Sequence, residues 1–149
     1  MSESPAPLTH SLEIPDVNVL VALTNPSHQH HRRAHQWLTE IESFATTPVT
    51  EAGLVRLLLN PAIAGQPVTG RQAVGILRGV RDHAKASFLA DDSSLAVATI
   101  DLIGLAGHRQ TTDAHLVNLA AGQGAVLTTF DRRIRDMLAG GDKDSVRVL

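Results

Sequence analysis

The stretch that decides the fold runs from residue 111 to residue 135 and reads TTDAHLVNLAAGQGAVLTTFDRRIR. Its opening threonines suit a helix cap, at Thr111 or Thr112, and apolar residues then recur at helical spacing until the glycines that follow. Residues 125–129 have the length and apolar character of a buried strand, and helical spacing resumes over 131–138. The stretch therefore predicts a helix, a buried strand and a second helix in direct succession.

The rest of the chain continues this alternation. Strands that alternate with helices over a whole chain predict a parallel sheet covered by helices on both faces, which is the α/β class. In such sheets, ligands bind beyond the carboxyl ends of the strands. We expect strands at 12–15, 44–47, 87–90, 125–129 and 145–149, and helices at 17–25, 28–42, 48–60, 71–85, 93–106, 111–122 and 131–138.

Length and composition limit the classes of function. The 149 residues, 43% of them hydrophobic, suit one domain over 12–149 after a flexible N-terminal tail at 1–11. The absence of cysteine excludes disulfides, thiolate zinc sites and Cys nucleophiles. Neither a signal peptide nor a membrane span is evident, so we expect a soluble, cytoplasmic protein. A net charge of −2 and only four aromatic residues (three Phe, one Trp) argue against bulk electrostatic RNA binding and against nucleobase stacking.

Four acidic residues stand at the starts of predicted helices. Asp16, Glu51 and Asp113 each lie three and four residues before a pair of apolar residues, and Asp131 lies three before Ile134. Any one of them could simply face the positive end of a helix dipole. Four carboxylates turned towards an apolar side would repel one another unless a divalent cation joined them. Oxygen-only ligands suit Mg²⁺ or Mn²⁺, and such cations can activate water for phosphodiester hydrolysis.

The segments around these acids resemble the successive motifs of VapC-type PIN domains. They are IPDVNVL at 14–20, TPVTEAGLVR at 47–56 with the later pair Asn60-Pro61, TDAHL at 112–116 and TFD at 129–131. They occur in the family's order and cover residues 12–135. The resemblance implies a three-layer α/β/α fold, a magnesium-dependent endoribonuclease that uses metal-activated water, a homodimer, and a cognate VapB-type antitoxin that inhibits it.

The same resemblance assigns roles to individual residues. Asp16, Glu51 and Asp113 match the acidic positions of the family's metal site, and Asp131 matches a fourth, more variable one. Thr129 matches a hydroxyl residue beside that site, and Asn18 matches a polar position in the first motif. By this resemblance a water activated by the metal attacks the RNA phosphate in line and leaves a 5′-phosphate.

Basic and aromatic residues give weaker indications. Arg132 and Arg133 follow Asp131 closely enough to reach a substrate phosphate, although an ordinary solvated face explains them equally well. The helix at 71–85 is expected to turn Val74, Leu77 and Val80 inward, and its outer stripe of Arg71, Arg78, Arg81 and Lys85 favours solvation over RNA contact. Trp37 is expected in the core, and the histidines at 28, 30, 31 and 35 are expected in solvent or in local packing rather than at a metal.

Two other functions stay open at this point. An aspartate after the first strand also begins phosphatases that use it as a covalent nucleophile, but these would want a second Asp where this chain has Asn18. The other alternative is a catalytically weak PIN-like module that binds RNA or a protein partner. Retention of all four acids argues against that module.

Overall fold

A five-stranded, wholly parallel sheet forms the centre of the molecule in the computed structural model, which describes residues 12–149. The strand order is β3-β2-β1-β4-β5, so the first strand lies in the middle and the chain moves outward in both directions. The α/β class and the parallel sheet predicted from the sequence are confirmed. The strands are β1 (Leu12–Pro15), β2 (Ser43–Thr46), β3 (Ala86–Phe88), β4 (Val126–Thr129) and β5 (Val146–Val148).

Helices connect the strands and cover both faces of the sheet, which gives the three-layer α/β/α arrangement. On one face, Ile14 and Leu127 pack against Leu116 of the helix before β4. On the other face, Phe44 packs against Trp37 and Val19. The helices are α1 (Val17–Thr24), α2 (His31–Glu40), α3 (Pro48–Leu58), α4 (Pro61–Ala64), α5 (Gly70–Arg81), α6 (Thr111–Gly122) and α7 (Arg132–Asp136).

The strand register explains why neighbouring residues face different layers. Glu13 pairs with Phe44 on one side and with Val126 on the other, so these three side chains share one face. Ile14 pairs with Leu127, and both face the α6 layer. Because side chains alternate along a strand, the buried Glu13 therefore lies on the face that α2 covers.

A glycine allows α1 and α3 to approach each other closely. A Cβ added at Gly53 would lie 2.5 Å from Cγ2 of Val17, inside any permitted contact. Both helices begin at the carboxyl ends of adjacent strands, β1 and β2. This approach therefore brings the first turns of the two helices together at one edge of the sheet.

The predicted helix at 93–106 is wrong. The structure has only a single 3-10 turn there, Leu95–Val97, followed by irregular chain. Side chains from elsewhere bind the backbone of this segment: Oδ1 of Asn118 accepts the N–H of Thr99 at 2.7 Å, and Oδ2 of Asp142 accepts the N–H of Asp101 at 2.8 Å. With these acceptors supplied, the backbone does not need helical hydrogen bonds.

Two local predictions are also corrected. Neither Thr111 nor Thr112 caps α6: both lie inside the helix, its cap position is Gln110, and a short 3-10 helix leads directly into it. Val74 does not point inward on α5, since it is 38% exposed and its neighbour Ala73 is the buried residue. Leu77 and Val80 do pack inward as predicted, together with Ala73 and Ile76, so only Val74 was assigned to the wrong face.

The remaining predicted elements are present with ends that differ by a few residues. The predicted tail at 1–11 lies outside the described residues. Within residues 12–149, no helix is long and apolar enough to cross a membrane.

Candidate active site

Asp16 is a buried carboxylate at the carboxyl end of the central strand. It directly follows β1, occupies the N-cap of α1 and is only 4% exposed. Its Oδ1 accepts the backbone N–H of Val19 at 3.0 Å, and its Oδ2 accepts the hydroxyl of Thr129 at 2.6 Å. Burial raises the pKa of Asp16 to about 6; the hydrogen bonds from Thr129 and Val19 oppose that rise, and the nearby charge of Asp113 adds to it.

Asp113 faces the same edge from the first turn of α6. It is half-buried, and burial raises its pKa. The negative charge of Asp131 raises that pKa further, whereas Arg133 lowers it. Asp113 therefore lies close enough to Asp16 and to Asp131 for the charges to shift the pKa values. The role of these acids as metal ligands stays a prediction.

Asp131 is the most exposed of these three acids, and an arginine binds it. As the N-cap of α7 it accepts the backbone N–H of Arg133 at 3.0 Å. The guanidinium of Arg133 also donates to both carboxylate oxygens at 3.0 Å, although that side chain is 89% exposed. These bonds from Arg133 hold the pKa of Asp131 below its usual range against the opposing effect of burial.

Glu51 occupies the first turn of α3, one strand further along the sheet. Its Oε2 accepts the hydroxyl of Thr46 at 2.7 Å. The same oxygen lies 3.6 Å from Nε of Arg81, at the end of α5. The side chain of Glu51 is 15% exposed, so this acid is oriented by one hydroxyl and one arginine.

Thr129 connects two of the acids. Its hydroxyl donates to Asp16 and accepts the backbone N–H of Asp131 at 2.9 Å. The geometry thus gives Thr129 a supporting position between Asp16 and Asp131, where the sequence predicted one. Asn18 and Arg132 are exposed, and Asn18 contributes a backbone hydrogen bond that lowers the pKa of Asp16.

The acids do not yet form a closed ligand set. Across residues 12–149, no three His, Asp or Glu side chains converge closely enough to hold a metal ion as they stand. Arg81 and Arg133 account for this at Glu51 and Asp131, because each arginine pairs with the carboxylate on its own side of the site. All four candidate ligands are carboxylates, which is the donor chemistry that Mg²⁺ and Mn²⁺ prefer.

Two of the four histidines, His31 and His35, bind backbone carbonyls, as expected for local packing. A ring nitrogen of His31 lies 2.7 Å from the carbonyl oxygen of Ala22, and one of His35 lies 2.9 Å from that of Leu23. Both carbonyls belong to the last turn of α1, where a helix has unsatisfied acceptors. These histidines therefore join α2 to the end of α1.

Trp37 is fully buried, as predicted. Its indole N–H donates to a carboxylate oxygen of Glu13 at 2.9 Å.

Several residues at this edge were missed in the sequence. No sequence pattern indicated that Thr46 and Arg81 are the partners of Glu51, since the three residues come from β2, α5 and α3. His115, two residues after Asp113, forms a short hydrogen bond with Asp91 in the loop after β3. Burial raises the pKa of Asp91, but the hydrogen bond and charge of His115 and bonds from Ser93 bring it below its usual range. His115 is the histidine of the TDAHL motif at 112–116, and that was the available signal.

Comparisons with known proteins agree with this architecture. The family model described as "PIN domain" matches residues 14–138. Ribonuclease VapC39 of Mycobacterium tuberculosis is 40% identical over 129 residues, which cover 85% of this chain and 93% of that protein. Ribonuclease VapC38 of the same organism is 41% identical over 139 residues, covering 90% of this chain and 95% of its own.

Solved structures show the same fold at lower identity. M. tuberculosis VapC20, described as a toxin that cleaves the sarcin-ricin loop, superposes with a TM-score of 0.58 at 15% identity over 83% of this chain and 93% of its own. A protein from Pyrobaculum aerophilum superposes with a TM-score of 0.57 at 22% identity over 86% and 80% of the two chains.

Proposed function

Because this chain belongs to the PIN-domain family, in its VapC ribonuclease group, we propose that it is a magnesium-dependent endoribonuclease and the toxin of a VapBC-type toxin-antitoxin pair. Two relatives that are named ribonucleases align with this chain over nearly their whole length.

The observation that carries the proposal is the state of Asp16. This side chain is 4% exposed, faces the negative charge of Asp113 and belongs to no ion pair of the described residues. A buried acid without a cation costs stability, and its pKa of about 6 expresses that cost. A divalent cation beside Asp16 and Asp113 would remove the cost and use both carboxylates as ligands.

In this proposal Asp16 and Asp113 hold the cation, and Glu51 and Asp131 join them. Arg133 would then release Asp131, and Nε of Arg81 would no longer face Glu51, so both guanidinium groups would offer more donors to RNA phosphates than they do without the cation. When bound, Mg²⁺ supplies positive charge for the scissile phosphate and lowers the pKa of the attacking water. Mn²⁺ has the same ligand preference.

Hydrogen bonds from neighbouring residues orient the acids of the site. Thr129 donates to Asp16 and accepts from the backbone of Asp131, so one hydroxyl orients two acids. The backbone N–H of Val19 fixes the second oxygen of Asp16. Arg132 and Arg133 are exposed at the start of α7, where they would contact the substrate backbone.

The experiment is cleavage of total RNA by the purified, antitoxin-free protein in magnesium, in manganese and in EDTA. Asp113→Asn should abolish cleavage without unfolding the protein, because it removes a ligand and keeps the shape of the first turn of α6. Asp136→Asn is the matched control, since Asp136 is an exposed acid on α7. Undiminished cleavage by folded Asp113→Asn, or cleavage that persists in EDTA, would contradict the proposal.

The same preparation tests the alternatives. A phosphatase with Asp16 as nucleophile would release inorganic phosphate and form an aspartyl adduct. A PIN-like module without catalysis would bind RNA or protein equally well after Asp16→Asn.

The proposed partners are RNA as substrate, a VapB-type antitoxin and a second copy of this chain. Light scattering on the purified chain tests the homodimer. Co-expression with the adjacent antitoxin gene should restore growth that the toxin alone arrests.

A further inference from the structure

Phe88 is an exposed aromatic ring at the carboxyl end of the sheet. It is the last residue of β3 and is 43% exposed. The chain has three phenylalanines, and the other two are covered: Phe44 is buried in the core, and His30 stacks on Phe130 with ring centroids 4.4 Å apart. Single exposed apolar residues are common, but this ring lies next to Arg81, which faces Glu51 of the candidate active site.

Arg81 lies over the face of this ring. The guanidinium carbon is 4.7 Å from the ring centroid of Phe88, within the range of a cation–π contact. Because the guanidinium is planar, stacking on a ring fixes its orientation and leaves its edge free to donate hydrogen bonds. The side chain of Arg81 is 48% exposed, so solvent reaches that edge.

A row of contacts leads from this pair to the acids. The Cα atoms of Thr46 and Phe88 are paired across β2 and β3, so both side chains lie on the same face. Thr46 donates to Glu51, and Glu51 faces Arg81 at 3.6 Å, beyond hydrogen-bond distance. β3 lies two strand positions from β1, so the backbones of the two strands are about 10 Å apart, and Asp16 directly follows β1.

We propose that Phe88 and Arg81 form a nucleotide subsite, at which a base of single-stranded RNA stacks on the Phe88–Arg81 pair and a neighbouring phosphate binds the guanidinium edge. Aromatic rings and arginine planes are the surfaces on which unpaired RNA bases stack. This inference deepens the proposed ribonuclease function by naming where the substrate binds. The net charge of −2 argues against a broad basic surface for RNA, and a subsite with one oriented arginine does not need such a surface.

The test measures binding without cleavage. A fluorescently labelled, single-stranded RNA dodecamer and a dodecamer of abasic ribose phosphates are titrated with the protein in EDTA at low salt. Phe88→Leu removes the aromatic face and keeps an apolar side chain, and Arg81→Lys keeps the charge but removes the plane. Arg71→Ala, at the opposite end of α5, and Ile63→Ala, at an apolar residue that is 37% exposed, are matched controls.

Phe88→Leu should weaken binding of the base-containing RNA about tenfold, within the range of a lost base–aromatic stack, and leave binding of the abasic chain unchanged. Arg81→Lys should weaken the binding of both ligands, since lysine lacks the planar group and the forked donors of arginine. Arg81→Ala should also reduce the slope of log Kd against log salt by about 0.7, the value for one lost phosphate contact. Both controls should bind like the wild type, and circular dichroism should show all variants folded.

The outcomes separate this inference from the proposed function. If the wild type cleaves RNA and the Phe88 and Arg81 variants bind both ligands unchanged, the subsite is wrong, the nuclease stands, and the ring is left for a protein partner. If the variants lose base-dependent binding while no RNA is ever cut, the subsite stands and the nuclease fails. If the wild type binds neither ligand, or prefers the abasic chain, the subsite is overturned.

Discussion

Glu13 and Asp16 are two acids on one strand with opposite surroundings. They are 5% and 4% exposed, so burial does not distinguish them. Glu13 accepts hydrogen bonds from the indole of Trp37 at 2.9 Å and from the hydroxyl of Thr128 at 2.7 Å, and it pairs with Arg147 at 2.9 Å. Asp16 has a hydroxyl and a backbone N–H, but it faces another acid instead of an arginine.

This difference shows which buried acid serves structure and which is available for chemistry. At Glu13 the fold supplies a cation and enough donors, so the charge is compensated within the chain. At Asp16 the fold supplies orientation but no positive charge, and the pKa rises to about 6. The compensation that Asp16 lacks is what a bound divalent cation would provide.

The largest expected difference between the two acids is in catalysis. Asp16→Asn should lower RNA cleavage at least about 100-fold, the scale on which active sites respond to a lost electrostatic group. The variant should unfold no earlier than the wild type at neutral pH, because the amide retains an acceptor for the N–H of Val19. Cleavage rates and thermal unfolding of the same preparation check both parts. A folded Asp16→Asn variant with full activity would contradict the proposed catalytic difference between Asp16 and Glu13.

Loss of Glu13 should instead lower stability. Glu13→Ala should reduce the free energy of unfolding by about 3 kcal/mol, because it leaves Arg147 without its buried partner and the indole of Trp37 without an acceptor. Glu40→Ala is the control: Glu40 is an exposed acid that also contacts Arg147, and its loss should cost under about 1 kcal/mol. Urea unfolding measures the difference, and equal costs for the two variants would mean that the burial of Glu13 contributes nothing.

The dependence of stability on pH provides a finer measure of the same contrast. The pKa of Asp16 is about 6 in the folded protein and 3.8 by its ordinary value, so the native state binds the proton more tightly. The contribution of Asp16 to stability is therefore complete below pH 3.8 and lost as the pH rises through about 6.

Without metal, Asp16→Asn should consequently gain stability relative to the wild type by about 2 to 3 kcal/mol between pH 4 and pH 7. Urea unfolding of both proteins in EDTA at several pH values measures this gain. A difference that does not change with pH would show that Asp16 is not strained by burial.

The smallest expected effect concerns Arg133. Its side chain is 89% exposed, so Arg133→Ala should leave the unfolding midpoint in urea unchanged despite the bonds to Asp131. The pKa of Asp131 should rise once those bonds are gone, which NMR titration of its carboxyl can follow. A clear fall in the midpoint would indicate that this pair contributes to the fold in the way that Arg147 does at Glu13.

Local patterns explain how much of the site could be predicted. All four acids lie at helix starts: Asp16 and Asp131 are N-caps, and Glu51 and Asp113 lie in the first turn. The spacing of apolar residues and nearby turn residues indicate each of these helices in the sequence. In a parallel sheet these helix starts meet at the carboxyl edge, so the location of the acids followed from the order of elements. Their roles as metal ligands remain a prediction that the activity and binding experiments test.

The missed features depend on contacts between distant parts of the chain. The donors to Glu13 come from residues 24, 115 and 134 positions away, and a glutamate in a short strand gives no sign of them. The stripe on α5 was expected to be solvated as a whole, but only Arg81 meets Glu51 and Phe88, because it lies at the end of the helix next to β3. The segment 93–106 lost its expected helix for the same reason, since Asn118 and Asp142 bind its backbone.

The sequence by itself determined the class of fold, the order of its elements apart from the segment 93–106, and the position of the four acids at their helix starts. These depend on the spacing of apolar residues and on caps and turns, which act over a few residues and can be read without knowing what lies nearby in space. The tertiary structure decided which acids are compensated. Charge compensation depends on which charged side chain lies within about 4 Å, and for Glu13 and Glu51 that neighbour comes from another strand or helix. Glu13 pairs with Arg147 and Glu51 with Arg81, whereas Asp16 has the hydroxyl of Thr129 and the N–H of Val19 but no cation, and it faces the charge of Asp113.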